Sequence, residues 1–538
     1  MRLLQEGVAR RAEARPEAVA LVEGTARISY GELERLTNRL SHCLRMVGCR
    51  EGDRIGILAP KSIHAIAGIL GTLKGGCIYV PLDPASPAPR LEKILCACEC
   101  RVVLAAGEIQ GPVQAMLEQL PRPVLLGWLD RSWELGGPMT AFTAREIEEA
   151  PDGPSACRRK PEDIAHILFT SGSTGTPKGV TITHANVAAF LDWALPYFGH
   201  TPEDRISSHP PLHFDLSTFD IFGTLWSGAS LYLVPPTLSL LPHKLAEFIR
   251  TSALTQWFSV PSLLNYMSRF NVVRPGDFPS LKRLLWCGEP FPTPALIYWM
   301  RRLPHVSFTN LYGPTETTIA SSYYRVTRCP AGEQENIPVG TACPGEELLV
   351  LDASLCPVAA GEVGELYIRG AGLSPGYWQD AEKTAAAFNR DPFSADPAAR
   401  IYKTGDLAST GERGLVYLHG RADMQIKSRG YRIELGEIEA ALNAIDKVRE
   451  CAVTAIDADG FEGQTICCAY AAAAGQALPP QVLRARLAAS LPAYMIPGQW
   501  MALERLPWNA NGKIDRPKIK AMFSARLQEC ARAAGGEV

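Results

Sequence analysis

The sequence predicts an α/β protein in two parts: a large N-terminal domain over residues 1–421 and a small α+β C-terminal domain over 422–538. Three observations carry this. A chain of 538 residues is too long for one hydrophobic core of ordinary size. As far as residue 421, short apolar runs of strand type alternate with helical patterns, in layered α/β fashion. From "HGRADMQIKSRGYRIELGEIEAALNAI" onward the alternation continues on a smaller scale, which places the boundary at residues 421–423.

Taken in order, "ISYGELERLTNRLSHCLRMVG" is an amphipathic helix with Tyr30 and Leu33 near its start. "DRIGILAP" reads as a strand, "SIHAIAGILGTLKGG" as a buried helix stopped by Gly75 and Gly76, and "CIYVPLD" as the next strand. "PEDIAHILFT" is an apolar strand that runs into a loop of Gly, Ser and Thr. "KSRGYRIELGEIE" is a short basic strand and turn, then a helix starting near Glu434. The terminal "SARLQECARAAGGEV", rich in Ala and Arg, is expected to fray.

Composition narrows the function classes. With 54 basic and 56 acidic residues the formal net charge is −2, which gives no electrostatic footprint for nucleic acid or a membrane surface. The start, "MRLLQEGVARRAEARPE", lacks the apolar core of a secretory signal, and Lys61 and Lys74 interrupt the most apolar region, 55–82. A cytoplasmic protein is expected. The 15 cysteines are odd in number and scattered. Cys96, Cys98 and Cys100 recur at every second position, which is not the spacing of a zinc site, and Cys467 and Cys468 sit in an apolar run. A reduced, mostly buried set is expected.

The chemistry begins at "LFTSGSTGTPKG", residues 168–179. Small residues there expose backbone N–H groups, and hydroxyls alternate with glycines, a composition suited to phosphate. The Walker pattern fails, because Pro177 stands where its second Gly belongs and Gly179 where its Ser/Thr belongs. "NLYGPTETT", residues 310–318, offers an aromatic face, hydroxyl donors and a carboxylate. "YKTGDL" places Asp406 after a Gly turn, where a carboxylate can accept two hydroxyls. "NANGKID" holds Lys513 at a tight turn.

These stretches, in this order and from "YGEL" to "NGKIDR", resemble the adenylate-forming enzyme superfamily, and within it the amino-acid adenylation domains of nonribosomal peptide synthesis. The resemblance implies a large adenylate-forming domain and a small mobile C-terminal domain. It implies ATP and Mg²⁺ as cofactors. Thr170, Ser171, Gly172, Ser173, Thr174 and Lys178 are then expected at the β,γ-phosphates, with Gly288 and Glu289 also on the nucleotide side. Tyr312 would stack on adenine, Asn310 would meet its amino edge with Leu311 and Gly313 beside them, Thr315 would donate to the α-phosphate and Glu316 would hold Mg²⁺. Asp406 and Arg421 would contact ribose, and Lys513 would stabilise charge between the substrate carboxylate and the α-phosphate. Asp423 matches a hinge, and Gly430 the face used for thioester formation. "GELYIRGAGLSPGYW" matches a structural signature and is assigned no chemistry.

"PLHFDLSTFDIFG" separates subfamilies. Amino-acid enzymes place a carboxylate at Asp215, next to Phe214, to meet the substrate ammonium; Asp220 is expected to be structural. The remaining wall, by resemblance, is Leu216, Phe219, Phe258, Leu285, Cys287, Leu311, Ile319 and Ala320, with Lys513 at its mouth. None of the eight wall residues is charged, so a polar substrate side chain is disfavoured by about 1–3 kcal/mol of unpaired burial. The set resembles that of stand-alone L-prolyl-AMP ligases; alanine, valine or a small β-amino acid stay open. About twenty residues follow the lysine loop, too few for a carrier domain. A separate phosphopantetheinylated carrier protein is therefore the expected partner, with a monomer or weak dimer as the expected state. The alternatives are an acid–CoA ligase, which Asp215 argues against, and a nucleotide-binding regulator, which an intact Lys513 and Glu316 argue against.

Overall fold

The computed structural model describes residues 2–107, 111–130, 139–172, 175–457, 464–473, 478–509 and 514–534. Lys513, Ser173 and Thr174 lie outside these. The chain divides into two compact units. The first comprises Met1–Pro84, Ile94–Phe169 and Gly179–Ala422; the second comprises Ala85–Lys93, Thr170–Lys178 and Asp423–Val538. The second thus takes in two short stretches far upstream of its main body, including most of the Gly/Ser/Thr loop.

Local sequence explains where the helices of the first unit begin. Ser29 and Glu32 form a reciprocal capping box at the head of helix Tyr30–Met46. Ser62 caps Ile63–Lys74, which Gly75 and Gly76 follow. Tyr30 is fully buried, and its hydroxyl donates to the Ala229 carbonyl at 2.7 Å. The strands between them are Arg54–Leu58, Ile78–Leu82 and Ile164–Thr170, as their apolar runs foretell.

Two large sheets carry the first unit. One has eight strands, and its centre is the parallel set Ile164–Thr170, Ile78–Leu82, Arg54–Leu58 and Val102–Ala105. The other has nine, with Ser307–Tyr312, Arg283–Cys287, Gln256–Ser259, Arg205–Ser208, Ser230–Leu233 and Val19–Glu23 running parallel in that spatial order. A smaller antiparallel sheet includes Gly364–Gly370, Arg400–Thr410 and Val416–Arg421.

The second unit is built on the sheet Val448–Asp457, Gln464–Ala472 and Gln499–Ala502. Helices Leu435–Asn443 and Pro480–Ala488 cover one face through Ile438, Leu442, Leu483 and Leu487. A hairpin of Gln425–Ser428 and Tyr431–Glu434 precedes them. Of the terminus expected to fray, 524–538, residues 535–538 lie outside the described residues, and the part up to Ala534 is instead helical, in the single helix Arg516–Ala534. Its Ile519 and Phe523, four residues apart, are buried against Ala452, Ile456 and Cys467, and this apolar anchor outweighs the low-complexity composition that follows it. Most of the cysteines whose side chains are described are buried, and these are free thiols.

Candidate active site

Strands Arg205–Ser208, Gln256–Ser259, Arg283–Cys287 and Ser307–Tyr312 are parallel neighbours, so their C-terminal ends lie along one edge of the sheet. Crevices at such edges are where open α/β sheets bind ligands. Most candidate residues of the first unit sit at these ends or just beyond them. Phe258 pairs in register with Leu285, and Cys287 with Leu311. Strand alternation then puts all four on one face. Phe219 meets Phe258 edge to face with centroids 6.0 Å apart, and the Cys287 thiol donates to the Ile319 carbonyl at 3.9 Å. Leu216, Phe219, Phe258, Leu285, Cys287, Leu311, Ile319 and Ala320 are all buried.

The backbone at Ile319 is unusual. Thr318 and Ile319 have φ of 59° and 67°, and the Ala320 N–H donates to the Thr318 carbonyl at 2.8 Å. That is a three-residue turn of the positive-φ hand, rare for any residue and costly for a β-branched one.

Asp215 heads a short helix, Leu216–Thr218, but its carboxylate makes no cap bond to that helix. The capping alternative for this aspartate is thereby removed. The helix then widens into a π turn at Phe219–Gly223, a feature frequent at functional sites. Phe214 and Asp215 are half-buried. Ser217 fixes the segment before them, donating from Oγ to the carbonyls of Leu212 and Phe214 at 3.2 and 2.7 Å.

Among the residues expected at the nucleotide, Asn310 is buried and spends its amide N–H on the Pro338 carbonyl at 2.9 Å, which orients its Oδ1 as an acceptor. The Tyr312 hydroxyl donates to Asp406 Oδ2 at 2.5 Å. Burial, and then the Asp406 charge, hold that phenol well above its ordinary range. Arg421 donates to Asp406 Oδ1 at 2.6 Å and to the Thr404 carbonyl at 3.1 Å. Tyr312, Asp406 and Arg421 therefore form one charge-assisted chain. Thr315 and Glu316 open a 3₁₀ turn at Thr315–Thr317. Glu316 is fully buried, and its Oε1 accepts from the Tyr377 hydroxyl at 2.7 Å. Tyr377 lies in the signature to which the sequence assigned no chemistry, and no local feature marks it. Gly313 cannot carry a Cβ, which would lie 2.7 Å from Ala320 Cα. Gly288 has φ of 99°, and Glu289 accepts the Ser262 N–H at 2.9 Å at the head of helix Pro261–Arg269.

In the second unit the glycine loop is engaged by its own unit. Ser171 Oγ donates to the Arg432 carbonyl at 2.6 Å and accepts the Glu434 N–H at 3.2 Å. The Gly172 N–H donates to Glu437 at 3.2 Å, and Lys178 lies 3.7 Å from Glu434. The Thr170 hydroxyl is buried with no hydrogen-bond partner among the described residues. Asp423 is exposed, and Arg429–Gly430 form a two-residue turn with φ of 54° and 80°.

A sheet edge with this order of motifs, followed by a small α+β unit, defines an adenylating ligase. The chain belongs to the AMP-binding enzymes: residues 8–378 match the AMP-binding enzyme family, and 437–513 match its C-terminal domain. It is 36% identical to an L-proline:L-prolyl-carrier-protein ligase of Pseudomonas fluorescens, over 96% of this chain and 98% of that one. It is 34% identical to a ligase of the same name from Streptomyces coelicolor, over 92% of each. Among solved structures it resembles the Vibrio cholerae adenylation domain AlmE in complex with glycyl-adenosine-5'-phosphate, with a TM-score of 0.85 at 25% identity over 97% of this chain and 98% of that one. Among the described residues, no helix is long and apolar enough to cross a membrane.

Proposed function

We propose that this enzyme activates L-proline with ATP and loads it onto a separate carrier protein. In the first step a carboxylate oxygen of the amino acid bonds to the α-phosphorus, and the bond to the β-phosphate oxygen breaks, releasing pyrophosphate. In the second the pantetheine sulfur bonds to the acyl carbon, AMP leaves, and the thiol proton goes to solvent. The observation that carries the reading is Asp215, a carboxylate not used for capping, on the element that also supplies Leu216 and Phe219 to an uncharged wall. That pairing suits an ammonium on a compact apolar body, and proline offers a secondary ammonium that Asp215 can accept. The two named relatives, matched over nearly their whole length, support the substrate and the carrier.

The remaining roles follow the chemistry of each group. Asn310 Oδ1 would accept from the adenine amine, and the Tyr312 ring would stack on the base. Asp406 and Arg421 would take the ribose, and Thr315 the α-phosphate. Thr170, Ser171, Gly172 and Lys178 are phosphate donors in kind. Glu316 would hold Mg²⁺: its carboxylate is pinned by the Tyr377 hydroxyl at one oxygen, which fits the oxygen-donor preference of that ion. Bound Mg²⁺ neutralises phosphate charge. A cytoplasmic setting agrees with the buried free thiols.

Pyrophosphate exchange across the twenty amino acids and a few β-amino acids tests the substrate. Proline is expected to be fastest. Faster exchange with valine or alanine rejects proline and leaves the class standing, whereas exchange with an aryl or alkyl acid alone rejects amino-acid activation. Tyr312→Phe removes one donor to a buried carboxylate, worth about 1.5–3 kcal/mol. Its KM for ATP in the same assay is expected to rise by about tenfold or more, with the amino-acid KM within about threefold.

A further inference from the structure

Lys61 follows strand Arg54–Leu58, and its ammonium makes three hydrogen bonds, all to backbone. Nζ donates to the carbonyls of Ser208, His209 and Pro210 at 2.5, 2.6 and 3.1 Å. These three carbonyls mark the point where the chain leaves strand Arg205–Ser208 and starts toward Asp215. The segment reads "SHPPLHFD", and Pro210 and Pro211 have no N–H with which to continue a ladder. Carbonyls leaving a sheet in buried surroundings need donors, and an ammonium with three is the most economical single source.

The ordinary explanation of a half-buried lysine enclosed by main chain is a salt bridge, and Lys61 makes none among the described residues. Asp220 is the carboxyl whose charge acts on Lys61, yet neither of its oxygens has a hydrogen-bond partner among the described residues. Burial pushes the Asp220 carboxyl up and the Lys61 ammonium down from their ordinary ranges. Lys61 thus spends its protons on the main chain. Downstream, Ser217 fixes Leu212 and Phe214, so the strap from Ser208 to Phe214 is held at both ends by side chains outside it.

We propose that Lys61 is a positioning residue for amino-acid recognition: it clamps the strap that sets Phe214 and Asp215 against the substrate. This rests on Asp215 being the ammonium ligand. Among the residues proposed for the nucleotide, Asn310 donates to the Pro338 carbonyl and Asp406 accepts from Tyr312 and Arg421, whereas the Lys61 ammonium bonds the strap. A loosened strap should therefore act on one substrate and spare the other.

The test is pyrophosphate exchange with the best amino acid of the panel above, comparing wild type, Lys61→Met, Lys61→Gln and Asp215→Ala. Lys61→Met keeps the length and loses every donor; Lys61→Gln keeps two donors, which protects folding if Lys61→Met is insoluble. The amino-acid KM is expected to rise by about tenfold or more in Lys61→Met and by less in Lys61→Gln, with the ATP KM within about threefold in both. If Asp215→Ala loses exchange while both Lys61 variants keep the wild-type amino-acid KM, the clamp is wrong and the ammonium assignment stands. If both KM values rise together, Lys61 serves the fold in general, and the proposal fails. If Asp215→Ala retains exchange, the ammonium assignment falls and the proposal with it.

Discussion

Asp215→Ala is expected to abolish activation of the amino acid while leaving ATP binding in place. The wall proposed for the substrate supplies no second charge: Leu216, Phe219, Phe258, Leu285, Cys287, Leu311, Ile319 and Ala320 are buried and uncharged. An ammonium brought against such a surface without its counter-ion keeps the desolvation cost and loses the attraction. Losing one partner of a buried charge pair costs roughly 3–5 kcal/mol. The specificity constant should therefore fall by roughly two to three decades or more. Because the carboxylate does not cap its helix, the substitution leaves that helix start intact, and the variant should stay folded. The measurement is amino-acid-dependent pyrophosphate exchange beside equilibrium binding of ATP. Retention of more than about a tenth of wild-type exchange would show that the ammonium is met elsewhere.

Lys513→Ala is expected to lose aminoacyl-AMP formation yet still pass a supplied aminoacyl-AMP to the carrier. Charge building up between carboxylate and α-phosphate needs a cation in the first half-reaction only, and loss of such a group costs about two to three decades. Gly430 gives the reciprocal case. It is the second residue of the tight turn joining Gln425–Ser428 to Tyr431–Glu434, with Ser428 paired to Tyr431 and both turn residues at positive φ. Gly430→Leu is expected to keep exchange and fail to load the carrier, because bulk would block the approach of pantetheine. Any side chain at φ of 80° strains the turn, so Gly430→Ala is the control. Loss in the leucine variant alone reports bulk; equal loss in both reports the turn. Exchange and carrier mass, read on the same preparations, separate the half-reactions. If Lys513→Ala and Gly430→Leu lose both activities equally while folded, these residues do not divide the work.

What was legible in the sequence was what lies contiguous in the chain. Asn310, Tyr312, Thr315 and Glu316 are named by a single stretch because a strand end and its following turn deliver them together. The helix starting at Tyr30 announced itself through Ser29 and Glu32. Residues that hold the site from elsewhere were not legible. Tyr377 reaches Glu316 from sixty-one positions downstream, and Lys61 reaches the Ser208 carbonyl across 147. Neither has a neighbour that betrays its role, since a tyrosine after Pro-Gly and a lysine before a helix are ordinary surface residues by every local rule. The terminal helix was misread for the opposite reason. Its Ala/Arg tail dominates the local pattern, whereas its stability comes from Ile519 and Phe523 upstream, in a core that only the folded sheet creates.

The turn at Ile319 bears on how such a pocket can be remodelled. At Leu216, Phe258 or Leu285 a new side chain changes volume alone, and the outcome can be judged from the space it fills or vacates. Ile319 differs, because its main chain already sits at φ of 67° with a β-branched side chain upon it. Exchange for glycine or asparagine enlarges or polarises the wall and at the same moment relaxes the peptide; exchange for valine keeps the tension. Altered substrate choice at that position is then a sum of two quantities with separate origins. A library randomised there would be sorted by backbone ease as much as by fit to the incoming amino acid, and its enriched variants would overstate the part played by shape.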